Sequence, residues 1–340
     1  MDRFDDALVI LDGAGPDYAG GLANHGPMAA EALFALDRAE AVVPWTERYR
    51  RKLGDEPAPG TPVDRADFRE ALGQMRRYPD WLALFLGEFR EGPWKPAVDR
   101  WVYELAPGFA GAAAHGVIRV GHAVRSLARL DAPGRRKELA RGFAYWAATH
   151  QTLPVKETRP AHLTPDQALA HVPKVPPDVR PSGSIAQGLK LAATLPEFPA
   201  VISLVDSGAP ESFVPALGET FARVFLAGTR TSGRTIALIH AVTGPAAAGL
   251  IVPHVSGRTA ARLLACAWQA CAAIYAVFGR PPEAGDAGTS RASREELIGG
   301  AVKSGDEHAI KFTEACLRLD AAKPSPAYRA AASRAVELLS

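Results

Sequence analysis

The sequence has only three cysteines in 340 residues: Cys266, Cys271 and Cys316. An odd number leaves one thiol unpaired in any disulfide scheme, and the absence of CxxC spacing makes a thiolate zinc site unlikely. Neither sign of charge is in excess, since 39 Lys and Arg residues oppose 37 Asp and Glu residues without a long basic run. We therefore expect reduced cysteines and no nucleic-acid partner.

Long hydrophobic runs are also missing. The most apolar stretch, residues 263–278, is interrupted by Gln269 and is shorter than the roughly 20 residues that a membrane span needs. The first residues, MDRFDDALVI, are acidic where a signal peptide is basic. We interpret the apolar stretch as a buried helix, and we expect a soluble, cytoplasmic protein with no membrane partner.

Several catalytic motifs are absent. The sequence contains no GxSxG elbow, no HExxH pair and no Walker loop, and no GxGxxG follows a strand. It also has no ExxH pair of the kind that supports a di-iron carboxylate bundle. An oxidative enzyme built on this chain would therefore use a metal and no flavin.

What the sequence does contain is helical periodicity. Apolar residues recur at helical spacing in residues 28–43, 67–78, 80–90, 109–130 and 134–151, and again through most of the chain after residue 210. Only ALVIL at residues 7–11 suggests a strand, and SREE from Ser293 resembles a capping box. We predict an all-α fold, a single large domain of about a dozen helices.

A proline-rich segment, residues 153–184, divides this domain into halves 1–152 and 185–340. Its length is typical of a functional loop, and we interpret it as a lid over a pocket between the halves. Each half has an early and a late histidine among small or amphipathic residues. The halves could thus be pseudo-repeats that enclose a metal site.

Four of the nine histidines, His25, His115, His240 and His308, lie in apolar, small-residue surroundings. A polar ring there needs a hydrogen-bonding partner or a metal, and an ordinary core histidine is the alternative in each case. His122 is seven residues, about 10.5 Å, beyond His115 on one helix, too far for both rings to bind one ion. The small neighbours of His115 favour that residue.

Lys311 follows His308 by three residues, so both lie on one helical face. A protonated amine beside buried histidines and a divalent ion is disfavoured. Three alternatives stay open for Lys311: it points into solvent, it is neutral, or it is carboxylated and serves as an anionic ligand.

Four blocks, NHGPMAAEAL, PGFAGAAAHGVIRVGHAV, ALIHAVTGPAA and EHAIKFTEACLR, occur in order between residues 24 and 318. Together they resemble the questin oxidase-like family. The resemblance implies an all-helical enzyme that opens the central ring of anthraquinone polyketides with O2. It also implies a mononuclear non-haem iron, Fe(II) or Fe(III), held by His25, His115, His240 and His308, with Lys311 at the iron as a carboxylated side chain.

The expected function is thus an iron-dependent oxygenase of natural product biosynthesis. Its substrate would be a small aromatic polyketide, and the reaction would be ring cleavage or Baeyer–Villiger-like oxygen insertion. The alternatives are a zinc or manganese hydrolase on the same histidines and a non-catalytic protein that binds an aromatic metabolite. No oligomeric state is indicated.

Five further residues are candidates around this site, and each also has an ordinary structural role. Asn24 and Glu314 are placed to orient the imidazoles, although a helix cap and a solvated helix residue are equally good interpretations. Trp146, Trp268 and Tyr275 could line the substrate pocket, although aromatic residues usually pack in cores.

Overall fold

The computed structural model describes residues 2–156, 158–159, 161–179, 185–229, 234–283 and 288–340, and these residues form an all-α fold, as predicted. The α-helices are α1 Arg3–Ile10, α2 Gly26–Ala35, α3 Ala39–Arg50, α4 Phe68–Ala71, α5 Tyr78–Phe89, α6 Trp94–Leu105, α7 His115–Arg129, α8 Pro133–Ala148, α9 Pro165–Ala168, α10 Ile185–Ala192, α11 Pro210–Gly228, α12 Thr235–Ile251, α13 Gly257–Phe278, α14 Arg294–Ser304, α15 Glu307–Ala322 and α16 Pro326–Leu339. Two short strands, β1 Asp17–Tyr18 and β2 Leu22–Ala23, pair antiparallel.

The helices outnumber the predicted dozen in part because two long periodic segments are each divided by a residue in the left-handed conformation. Asp37, with φ of 60°, separates α2 from α3. Gly305, with φ of 66°, separates α14 from α15. Apolar periodicity continues across both breaks, so the sequence pattern does not reveal them.

The strand suggested at residues 7–11 was wrong, because most of that segment belongs to α1. The Asp2 carboxylate accepts hydrogen bonds from the backbone amides of Phe4 at 3.0 Å and Asp5 at 3.1 Å. The Asp5 carboxylate accepts in turn from the Asp2 amide, completing a capping box that fixes the helix start. At the start of α14, the capping box predicted from Ser293 is confirmed.

Four helices surround the centre of the molecule: α2, α7, α12 and α15. Each packs against two of the others, α2 and α12 both contacting α7 and α15, so the four form a closed ring. Close approach of α7 and α12 depends on Gly121, where a Cβ would lie 2.6 Å from the Ala247 carbonyl oxygen. Helices from both halves thus share one core.

Within the part of the chain that the structure describes, two helical segments are long and apolar enough to cross a membrane, Thr235–His254 and Gly257–Phe278. The second is longer than the apolar run in the sequence, because the Ser256 side chain caps the helix seven residues earlier by accepting from the Thr259 amide. Most of each apolar window, 72% and 78%, is buried inside the protein. Such burial is typical of core helices in soluble proteins.

The segment predicted as a lid contains residues 157, 160 and 180–184, which lie outside the described residues. Its described part lies along the 3₁₀ helix Phe198–Leu204, where the Lys156 amide donates to the Pro199 carbonyl at 2.8 Å. Further on, the Val175 amide donates to the Ala276 carbonyl of α13 at 3.0 Å. Its role as a lid stays a prediction.

Candidate metal centre

The four histidines singled out in the sequence lie together, one on each helix of the central ring. His25 is the residue before α2, His115 is the first residue of α7, His308 is the second residue of α15, and His240 is in the second turn of α12. All four lie near amino-terminal helix ends, and because each helix also packs along two of the others, the four helices run in roughly the same direction. The positive ends of their dipoles therefore converge on the histidines.

The ring nitrogens of His25, His115 and His308 are close enough to one another to bind one ion, and His240 adjoins this group through His115. His115 Nε2 lies 2.9 Å from His25 Nε2 and 3.1 Å from His240 Nε2. Nitrogens bound to one ion at about 2.0–2.1 Å are themselves about 3 Å apart. The His308 ring centroid lies 4.6 Å from that of His25, and the ligand atoms of His25, His115 and His308 all lie within 4.8 Å of one another.

Backbone carbonyls fix the tautomers of two of these rings. Nδ1 of His240 faces the Ile236 carbonyl oxygen at 2.6 Å, and Nδ1 of His115 hydrogen-bonds the Ala112 carbonyl. Because a carbonyl only accepts, each Nδ1 carries the proton, and each Nε2 of a neutral ring carries a lone pair. Two lone pairs thus face each other across 3.1 Å, an arrangement that a bound cation stabilises.

The histidines also resist protonation. Burial, and secondarily the Lys311 ammonium, lowers the pKa of His115 to about 3. The same causes, with the neighbouring rings, hold the pKa values of His25 and His240 well below their usual range. At neutral pH these three imidazoles are therefore in the form that binds metals.

Lys311 points into the cluster. Its Nζ lies 3.1 Å from His25 Nδ1, and the residue is only 2% exposed. Burial lowers its pKa from 10.5 to about 8, against the opposing effect of Glu307 and Asp306. Of the three alternatives left open by the sequence, the solvent-facing side chain was therefore wrong.

A strained turn holds His115 in place. The three residues before it, Ala112, Ala113 and Ala114, all have positive φ, at 45°, 56° and 67°. Alanine disfavours this left-handed conformation by about 1–2 kcal/mol per residue. Such strain persists only where the surroundings impose it, and it is common at functional sites. Here a Cβ on Gly111, just before the turn, would lie 2.1 Å from the Thr149 carbonyl oxygen.

Of the two residues expected to orient the imidazoles, Asn24 lies beside the cluster. Its Nδ2 donates to the Gly15 carbonyl at 2.8 Å, and its Oδ1 accepts from the Gly26 amide at 2.9 Å, so it fixes the backbone around His25. Glu314 is buried but pairs with Arg125 and Arg318. Its hydrogen bonds in the described structure go to arginines and to no imidazole.

The sequence analysis missed a buried polar network between α2, α7 and α15, which lies further from the amino-terminal helix ends than the four histidines. Glu31, on α2, lies 2.8 Å from His122 Nδ1 and 2.9 Å from Arg125 Nε. Arg125 also pairs with Glu314 of α15. His122 is thus held by a carboxylate and is separate from the other four histidines, as its spacing predicted. Glu31 gave no sequence signal, since it reads as one polar residue in an apolar helix.

The three aromatic residues proposed for the pocket are buried in the core. The indole nitrogens donate to carbonyls, Trp146 to Gly108 at 3.3 Å and Trp268 to Val201 at 2.8 Å. The Tyr275 ring carries the Lys174 ammonium 3.5 Å from its centroid. Their contact with a substrate stays a prediction.

The cavity beside His240 is small, about 10 Å³. Its walls come from the segment before α7, from α13 and from Leu189 of α10; they include Phe109, Ala113, Ala114, Cys271 and Ile274. A cavity of this volume holds about one water molecule, whereas roughly 150 Å³ is needed for benzene. An aromatic molecule therefore reaches His240 only if one wall moves. The short helix α10 is the thinnest wall, since only three of its eight residues are buried.

A family model, Questin oxidase-like, matches residues 22–191, half of the chain. The chain belongs to the questin oxidase-like family. His25 and His115 lie inside the matched region, and His240, His308 and Lys311 follow it. Membership of this family indicates an oxidoreductase. No match was found among curated proteins.

Proposed function

We propose that this questin oxidase-like protein is a non-haem iron oxygenase that oxidises an aromatic polyketide with O2. The main support for a metal site is the pair of unprotonated Nε2 atoms of His115 and His240, which lie 3.1 Å apart. In both rings the Nδ1–H group donates to a backbone carbonyl. Imidazole donors suit iron. The family supports the oxidative chemistry and the aromatic substrate.

His25, His115, His240 and His308 would hold the iron, which when bound supplies activation of O2 or of a bound phenolate. The protein's own contribution is to keep the imidazoles neutral and oriented, through burial and through the carbonyls of Ala112 and Ile236. Apolar walls at Phe109, Leu189 and Ile274 exclude water and offer contact to an aromatic ring.

Lys311 would supply negative charge as a carbamate. Its lowered pKa favours the neutral amine, the form that attacks CO2. The ammonium first loses a proton; a bond then forms between Nζ and the carbon of CO2 as one C=O π bond breaks, and a second proton is released. The product replaces a cation by an anion, which offsets the charge of a divalent ion and suits the positive helix ends.

The deciding experiment is metal analysis of protein purified without added metal, combined with oxygen consumption on adding a hydroxylated anthraquinone. We expect about one iron per chain and substrate-dependent oxygen uptake. His240→Ala should lose the metal, whereas His171→Ala, in the proline-rich segment, should keep it. Zinc without oxygen uptake would favour a hydrolase, and ligand binding without turnover would favour a binding protein.

A carbamate on Lys311 has its own test. Reconstitution with metal under CO2-free conditions should lower the bound metal, and bicarbonate should restore it. Lys311→Arg keeps a positive charge but cannot form a carbamate, so it should not respond to bicarbonate. A Lys311→Arg variant with full metal and activity would show that the histidines act without this ligand.

A further inference from the structure

A second cavity lies about 15 Å along α7 from the histidines, since Arg125 follows His115 by ten residues. Its volume is about 510 Å³. Four arginines line it: Arg125 and Arg129 of α7, Arg294 of α14 and Arg318 of α15. Three helices thus direct guanidinium groups to one space that the proposed oxygenase chemistry does not use.

The inner part of this arginine cavity is electrically balanced. The Arg125 guanidinium pairs with both Glu31 and Glu314, and Arg318 Nε lies 2.9 Å from Glu314 Oε1. Burial alone would lower the pKa of Arg125, but the carboxylates of Glu314 and Glu31 outweigh it and raise the pKa. Both buried carboxylates are therefore committed to this inner layer.

In the outer part of the arginine cavity, positive charge is not fully balanced by carboxylates. Arg129 Nη2 is 4.0 Å from Glu31, a weak ion pair, and its guanidinium lies 4.3 Å from the Phe34 ring centroid. Burial lowers the pKa of Arg129, as expected for a cation with incomplete compensation. Arg294 is exposed and forms no ion pair with any residue that the structure describes. The other carboxylate on the lining, Asp37, is exposed to solvent.

We propose that the arginine cavity binds a small phosphorylated molecule, its phosphate held by Arg129 and Arg294. Two guanidinium groups that approach from different helices can each bind oxygens of a tetrahedral oxyanion, whereas a carboxylate offers only two oxygens in one plane. The volume exceeds that of phosphate, and Phe34 and Leu317 offer apolar contacts to the rest of the ligand.

Equilibrium dialysis of the intact protein against radiolabelled inorganic phosphate, at constant ionic strength, tests this site. We expect one phosphate per chain. Arg294→Gln should weaken binding about tenfold, and the double variant Arg129→Gln/Arg294→Gln should weaken it further. Arg90→Gln, at an exposed arginine outside the cavity, is the matched control and should bind like wild type. Circular dichroism checks that each variant is folded.

Three results would overturn the proposal. Equal binding by wild type and the double variant would mean an adventitious ion only. Binding that is lost in His240→Ala but kept in the double variant would place the phosphate at the histidines. Acetate that competes as strongly as phosphate at equal concentration would show a carboxylate site.

Discussion

Lys311→Met should make the metal-free protein more stable at pH 7, although it removes a candidate ligand. The pKa of Lys311 falls from 10.5 to about 8 on burial. At 1.36 kcal/mol for each pKa unit, keeping this amine protonated in the folded state costs about 3 kcal/mol. Methionine fills similar space without charge. Loss of the hydrogen bond to His25 destabilises the variant by about 1 kcal/mol, so its free energy of unfolding should rise by about 2 kcal/mol in total.

The stability difference between wild type and Lys311→Met should depend on pH. Between pH 8 and 10.5 the unfolded chain holds the lysine proton and the folded chain does not, so the stability of wild type rises with pH in that window. Below pH 8 both states are protonated, and the full cost remains. The advantage of Lys311→Met should therefore be largest at pH 7 and fall close to zero near pH 10.

The assay is urea unfolding of metal-free protein in CO2-free buffer at pH 7 and pH 10. Lys303→Met, at an exposed lysine of α14, is the control, and its stability should stay within about 0.5 kcal/mol of wild type at both pH values. If Lys311→Met is destabilised equally at pH 7 and pH 10, the amine carries no buried charge, and the electrostatic account of this site fails.

Three further predictions concern the framework of the site. Gly121→Ala should lower the free energy of unfolding by about 2 kcal/mol or more in thermal unfolding, and should lower metal content, because the added Cβ pushes α7 away from Ala247. The control Gly87→Ala, with open space at its Cβ, should leave stability unchanged or slightly raised. Equal changes in stability for the two variants would contradict the close contact at Gly121. Ala112→Gly should stabilise the protein by about 1 kcal/mol in urea unfolding by relieving its positive φ; destabilisation would mean that its side chain matters more than its backbone. Limited proteolysis should cut first within residues 153–184 and more slowly with an aromatic ligand bound; first cleavage elsewhere would count against the lid.

The all-α fold could be anticipated from apolar periodicity, and isolated polar rings marked the four histidines as candidates, because both are local signals; the meeting of the four at one site was implied by the family resemblance. His240 shows this well: a ring inside a nearly uninterrupted apolar helix must find a partner. The break at Asp37 and the turn at Ala112–Ala114 could not be anticipated. Alanine ordinarily favours helices, and only contacts distant in sequence, such as Gly111 against Thr149, impose the left-handed backbone there.

Glu31 illustrates a second limit. Its partners His122 and Arg125 are some ninety residues away, so the sequence offers no spacing that links them. Glu314 follows Lys311 by three residues on α15, so both lie on one helical face, and Glu314 is about 4.5 Å further along the axis. Lys311 reaches the histidines and Glu314 pairs with the arginines. Candidate residues were found by local chemistry, and their grouping required the packed helices.

The parallel arrangement of α2, α7, α12 and α15 has a consequence for any ion at the histidines. Neutral imidazoles contribute no charge, and four positive helix ends add to the charge of a divalent cation. Asp306 is occupied at the start of α15, where it accepts from the His308 and Ala309 amides. The nearby carboxylate of Glu307 faces the Tyr18 hydroxyl and the Lys52 ammonium. Asp306 Oδ1 lies 3.6 Å from His308 Nδ1, so one carboxylate adjoins the histidines. A carbamate on Lys311 or a phenolate of the substrate would each supply an anion at the centre itself.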